Sequence, residues 1–201
     1  MPNPRSGRVR AAVLISGAGS NMAALVDAAR DADCPFEVAL VLSNKPDAGG
    51  LALAREKGVP VAVVDHRDFG KDREAHERAV DAALTAHGIE VVALAGYMRL
   101  LTPWLVQRWE GRMLNIHPSL LPRYPGLDTH ARALAAGDHE AGCTVHLVTE
   151  GVDEGPILAQ ARVPVLPDDT PASLAQRVLT AEHNLYSEAL ADFCRSQMRI
   201  L

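Results

Sequence analysis

Asn115 and His117 stand two positions apart in the apolar run MLNIH, and Pro118 closes that run. Side chains at i and i+2 of a strand point to the same side. A proline cannot donate to a sheet ladder and disfavours helix at the residue before it. The spacing therefore predicts a strand over 112–116 ending at about His117, with an amide and an imidazole projecting together from its carboxyl end. An amide N–H₂ donates to a developing oxyanion, and an imidazole donates to the same oxygen and carries protons near neutral pH. Together they suit attack on a carbonyl. A carboxylate orients such a histidine and favours its charged form, and the Gly-bounded loop GVDEGP offers Asp153 ahead of Glu154. Singly, His117 also suits a ring satisfied by backbone and Asp153 a turn residue; their combination points to catalysis. Ser119 is close by, but LNIHPSLLP lacks the GxSxG elbow, which argues against covalent serine chemistry.

A second constellation lies at LISGAGSNMAAL, residues 14–25, a strand, a Gly-rich turn and a helix start. Backbone N–H groups and the helix dipole make an anion site of this arrangement. The dinucleotide fingerprint needs a third glycine where Met22 stands and an acidic residue where Ser43 and Asn44 stand, so NAD is disfavoured. What remains is a lone phosphate held by Gly19, Ser20 and Asn21. The same residues also suit a plain tight turn at Gly17 and Gly19 with Ser20 as helix cap. Position at the carboxyl end of a strand favours the ligand site. His130, His139 and His146 share a region without HExxH spacing, and no metal is expected.

These groups need a frame, and the first half supplies it by alternation. Strands are predicted over 9–16, 36–44, 59–65 and 90–95, with helices over 20–31, 47–57 and about 71–87 between them. Short apolar runs without polar alternation suit parallel strands covered on both faces. That is an α/β fold with a Rossmann-like doubly wound parallel half. It continues into a mixed sheet flanked by helices: a helix near 129–136, strands at 143–149 and 157–165 that alternate better and suit antiparallel pairing, and a last helix opened by Thr170 as N-cap and Pro171. A length of 201 residues fits a single domain, with residues 1–8 as a flexible tail.

The net charge is −5, and the 20 Lys and Arg are scattered, so there is no footprint for nucleic acid. Cys34, Cys143 and Cys194 are odd in number and never paired as CxxC, which argues against disulfides and suits a reducing cytoplasm. The opening apolar stretch is too short for a signal or membrane segment, and neither is expected. Small molecules are the expected partners.

LISGAGSN, AGYMRLLTP, MLNIHPSLLPRYPG, HLVTEGVDEGP and VLTAEHNLY, in this order and spacing, resemble the folate-dependent formyltransferase family. NIHPSLLP followed by DxGP resembles the wider superfamily, and SGxGSN its glycinamide ribonucleotide branch. The resemblance runs from about residue 9 to 190. It implies a formyltransferase-like fold and transfer of the formyl group of 10-formyltetrahydrofolate, a cosubstrate, to the amine of glycinamide ribonucleotide in purine biosynthesis, by a monomer or homodimer. It also implies that Asn115, His117 and Asp153 are catalytic and that Gly19, Ser20 and Asn21 hold the substrate phosphate. By the same resemblance Glu182 contacts the rest of that substrate. It further implies that Arg73, Met98, Arg99, Leu100, Leu101 and Asn115 contact the folate, beside a loop from Val148 to Asp153. Leu179 and Asp128 depart from some members, which bears on secondary contacts. A formyltetrahydrofolate hydrolase is expected to carry an N-terminal regulatory domain and no phosphate loop, and a methionyl-tRNA formyltransferase a basic C-terminal domain past Leu201.

Overall fold

Alternation along the first strand decides how the molecule is layered. The strand Val9–Ile15 (β1) sends Ala11, Val13 and Ile15 into one apolar cluster and Ala12 and Leu14 into another, so both faces of the sheet are covered. The computed structural model describes residues 7–198, and the tail expected over 1–8 lies outside them except for Gly7 and Arg8. Arg8 is tied down, its Nε donating to Phe36 O at 3.0 Å.

After β1 come Ser20–Ala28 (α1), Phe36–Ser43 (β2), Gly49–Glu56 (α2) and Val61–Val63 (β3). A 3₁₀ turn at His66–Phe69 leads to Arg73–Ala86 (α3), Val91–Leu94 (β4), Pro103–Arg108 (α4) and Met113–His117 (β5). Thr129–Ala135 (α5), Glu140–Leu147 (β6), Ile157–Pro164 (β7) and Pro171–Met198 (α6) complete the order. Thr170 caps α6 as expected, its Oγ1 accepting from Ser173 N at 3.2 Å. The 3₁₀ turn and α4 were not legible in the apolar pattern, because pieces of four and six residues are too short to show a helical period. β6 begins before Cys143, at Glu140, because Glu140 pairs with Pro164 of β7.

Among the described residues seven strands form one sheet in the order β3-β2-β1-β4-β5-β6-β7. β1 to β5 are parallel, while β6 is antiparallel to β5 and to β7. On one face α1, α2 and α6 pack through Met22, Leu51 and Leu190; on the other α3 and α4 pack through Leu84 and Leu105. Tyr186 of α6 is buried against the sheet, and its hydroxyl donates between Leu94 O at 3.0 Å and Leu114 O at 3.2 Å.

The strand order reverses between β1 and β4. The chain leaves β1 for α1 on one face and leaves β4 toward α4 on the other, so the two connections part and a crevice opens beyond the strand ends. Among the described residues no helix is long and apolar enough to cross a membrane.

Candidate active site

The turn after β1 runs along one side of the crevice. Gly19 adopts the left-handed conformation, φ 77°, and is itself the N-cap of α1; no side chain caps the helix, so Ser20 is its first residue and not its cap. First-turn N–H groups with no intrahelical partner are the donors that bind an anion. The turn is locked from outside by α2, whose Gly50 N donates to Gly17 O at 2.9 Å. Backbone packs on backbone there: a Cβ on Gly19 would lie 2.9 Å from Gly50 Cα.

Asn21 Nδ2 donates to Glu182 Oε2 of α6 at 2.7 Å, while Asn21 Oδ1 is buried without a partner among the described residues. Glu182 is 6% exposed, and burial pushes its carboxyl above the ordinary range against the opposing pull of Asn21. A carboxyl raised in the fold contributes stability that is fully present below its unfolded value, roughly 4.3, and lost as pH rises through the raised value. Glu182→Gln keeps an acceptor for Asn21 and removes that loss. Its Tm relative to the parent is expected to climb as pH rises above about 4, by roughly 2–4 °C per kcal/mol relieved. A Tm difference that stays flat with pH in thermal denaturation would contradict the burial effect.

The second constellation forms on β5. Asn115 and His117 share a face, and the antiparallel register sets His146 of β6 opposite Asn115 and Thr144 opposite His117. The loop after β6 folds back to bring Asp153 to the ring: His117 Nδ1 lies 3.3 Å from Asp153 Oδ2, with both side chains largely buried. The other nitrogen, Nε2, donates to Tyr124 O at 2.9 Å. Both ring nitrogens therefore face acceptors, an arrangement that the doubly protonated ring satisfies. Tyr124 holds its carbonyl there from a left-handed backbone, φ 54°, in the turn that Pro122 and Pro125 bracket.

Asp153 has φ 56° and accepts from Gly126 N at 2.9 Å through the oxygen that faces His117. Burial pushes its carboxyl up, but His146, the Gly126 N–H and the charge on His117 outweigh burial and hold it below the ordinary range. Ser119 donates its hydroxyl to Arg123 O at 2.6 Å and so braces the turn.

The sequence marks His146 only as a poor metal candidate, and the structure places it in the site. Its Nδ1 donates to Leu147 O at 2.9 Å, which leaves Nε2 to accept from Asn115 Nδ2 at 3.2 Å. The same Nε2 is 3.6 Å from Asp153 Oδ1, so a proton on that nitrogen turns it from an acceptor for Asn115 into the positive partner that lowers the Asp153 carboxyl. His146 thus sets which way the Asn115 amide points. Alternation in CTVHLVT puts His146 on the face of Thr144, but no sequence signal states which β5 residue it faces. Among the described residues no group of three potential ligands is arranged to hold a metal ion.

The candidate folate contacts divide. Met98, Arg99, Leu100 and Leu101 lie in the connection from β4 to α4, Met98 and Leu100 exposed and Leu101 packed on the second cluster. Arg73 is exposed on the first turn of α3 and makes no hydrogen bond to Asn115, His117 or Asp153 among the described residues. The Val148–Asp153 loop is tethered to α4, where Gln107 Nε2 donates to Glu150 Oε1 at 2.9 Å. Leu179 is half-buried on α6, and Asp128 is an exposed left-handed N-cap of α5. Exposed Leu127 and Val152 flank the two turns that meet at Gly126 and Asp153, which gives the crevice an apolar rim suited to a flat ring system.

A crevice at the strand reversal, an uncapped glycine turn and an amide, imidazole and carboxylate within reach of one another define a group-transfer site. The Formyl transferase family model matches residues 9–190, and the chain belongs to that family. Among its relatives, the phosphoribosylglycinamide formyltransferase of Haemophilus influenzae is 42% identical over 94% of this chain and 89% of its own length. The crystal structure of phosphoribosylglycinamide formyltransferase from Brucella melitensis is 56% identical, with a TM-score of 0.90 over 93% of this chain and 96% of that one. The trifunctional purine biosynthetic protein adenosine-3 of Drosophila melanogaster is 50% identical over 92% of this chain, which spans 14% of that longer protein.

Proposed function

We propose that the chain transfers the formyl group of 10-formyltetrahydrofolate to the amine of glycinamide ribonucleotide. One observation supports the reading: Asn115 and His117 lie at the end of β5 with Asp153 3.3 Å from His117, and the uncapped glycine turn lies at the end of β1, on the same carboxyl edge of the parallel strands. The acceptor spans the two, its phosphate on Gly19, Ser20 and Asn21 and its amine toward His117, with Glu182 between. The names of the Haemophilus and Brucella relatives support the acceptor and the formyl group of this reading.

The chemistry follows from charge. When the amine adds to the formyl carbon, the carbonyl oxygen gains negative charge. Asn115 Nδ2, oriented by His146, and His117 Nδ1–H are the donors for it. The His117–Asp153 contact is longer than a tight charge-assisted bond, so Nδ1–H is free to share itself with that oxygen. Asp153, held ionised, keeps His117 charged and relays the proton lost by the amine to the departing folate nitrogen. Collapse of the tetrahedral centre breaks the bond to that nitrogen and leaves the formamide. Free, buried thiols at Cys34, Cys143 and Cys194 accord with a cytoplasmic enzyme.

Incubation with 10-formyltetrahydrofolate, with and without glycinamide ribonucleotide, tests this. Deformylated folate is expected to accumulate with the amine present. Equal release without the amine would instead make the chain a hydrolase, and tight folate binding with no release would make it a binding module.

A further inference from the structure

A stretch of backbone that offers its apolar side chains to water cannot be held by their burial. Between Tyr97 and Leu101, which pack on the second cluster, the segment Met98–Leu100 is such a stretch, with Met98 and Leu100 each 63% exposed. Polar groups that take no part in the chemistry hold it at both ends. At the first, Met98 N–H donates to Ser16 Oγ at 2.8 Å, and the Ser16 hydroxyl donates on to Asn44 Oδ1 at 2.6 Å. Ser16 and Asn44 are both buried, at the carboxyl ends of β1 and β2. At the second, Thr102 N–H donates to Glu77 Oε1 at 2.7 Å and the Thr102 hydroxyl donates to Glu77 Oε2.

Glu77 is the unusual member. It is 2% exposed and sits on α3 with Val80 and Leu84, where 3–4 spacing calls for an apolar residue. Burying a carboxylate is costly unless its hydrogen bonds are made. Both oxygens bond to Thr102, so what the fold gains for that cost is a fixed position for the residue where the exposed stretch enters α4.

We infer that Glu77, together with Ser16 and Asn44 at the opposite end, is a positioning residue that presets the 97–102 backbone. Met98 and Leu100 thereby form a rigid wall for the donor folate before it arrives. The inference rests on the reading of Met98–Leu101 as donor contacts. A preset wall lowers the ordering cost of binding, and Glu77 reaches the donor side through Thr102 without touching the phosphate turn.

The test is steady-state kinetics with both substrates varied. Glu77→Ala is expected to raise KM for 10-formyltetrahydrofolate on the order of tenfold, the scale of one lost charge-assisted hydrogen bond. KM for glycinamide ribonucleotide and kcat are expected to stay within about threefold, as the intact phosphate turn and catalytic groups require. Glu77→Gln still accepts from Thr102 N–H and is expected to bring the donor KM back to within about threefold of the parent. A donor KM unchanged in Glu77→Ala, or one that rises together with the acceptor KM, overturns the inference. If Glu77→Ala does not fold, Ser16→Ala carries the test from the other end, and an unchanged donor KM there overturns it equally. A parent enzyme that never deformylates the folate would count against the proposed function; a normal parent with an indifferent Glu77→Ala counts against the clamp alone.

Discussion

His117→Asn is expected to lower kcat for formyl transfer by on the order of 10²–10³, the scale of one lost oxyanion donor. The imidazole spans Asp153 and Tyr124 O, and an asparagine amide placed at the same Cβ is too short to reach both. Asp153→Asn is expected to cost a similar factor for a different reason. Its amide oxygen still accepts from Gly126 N, so the loop keeps its anchor, but the charge that balances His117 is gone. Because the charged form of Asp153 is favoured in the fold, its contribution to stability is present above its unfolded value, roughly 3.9, and lost as pH falls through the lowered one. The Tm gap between Asp153→Asn and the parent should therefore be widest near neutrality and close toward acid. Single-turnover rates and melting curves on the same preparations separate lost chemistry from lost fold. A variant that folds and turns over within about tenfold of the parent would remove His117 or Asp153 from the mechanism.

Gly19→Ala is expected to raise KM for glycinamide ribonucleotide by about 10², with the donor KM little changed, because displacing the turn forfeits one or two charge-assisted bonds to a phosphate. Two physical effects act together. An alanine at φ 77° meets the left-handed penalty of roughly 1–2 kcal/mol, and its Cβ would stand 2.9 Å from Gly50 Cα, a backbone atom that cannot rotate away. Gly50→Ala presses on the same contact from α2, with its Cβ 3.0 Å from Gly19 Cα and 2.6 Å from Ile15 Cδ1, which is mobile enough to give part of the way. Gly17→Ala meets nothing within 4 Å and should shift the acceptor KM less than about threefold. If Gly17→Ala and Gly19→Ala proved equally harmful or equally mild, the turn would owe its role to something other than this packing.

The contrast between those two glycines marks the limit of what is legible in a chain. Gly17 and Gly19 read alike in SGAGSN, and only the left-handed turn at Gly19 and the approach of α2, drawn from about thirty residues away, make Gly19 the one that cannot change. Glu182 was within reach of sequence through the family resemblance, yet its link to Asn21 depends on α6 packing across α1. The strands of the first half could be read because parallel strands covered on both faces are continuous apolar runs. α4 and the 3₁₀ turn could not, because six and four residues carry no period.

By itself the sequence determined the layered α/β fold, the placing of Asn115 and His117 on one side of a strand that Pro118 ends, and the Gly-rich turn after β1. Each of these follows from local rules: pleat, proline geometry and apolar period. Tertiary structure alone decided that His146 faces Asn115, that a prolyl turn puts Tyr124 O on His117, that Gly50 locks Gly19 and that Glu77 holds Thr102. Those contacts join residues distant in the chain through strand register and helix packing, which no local pattern encodes.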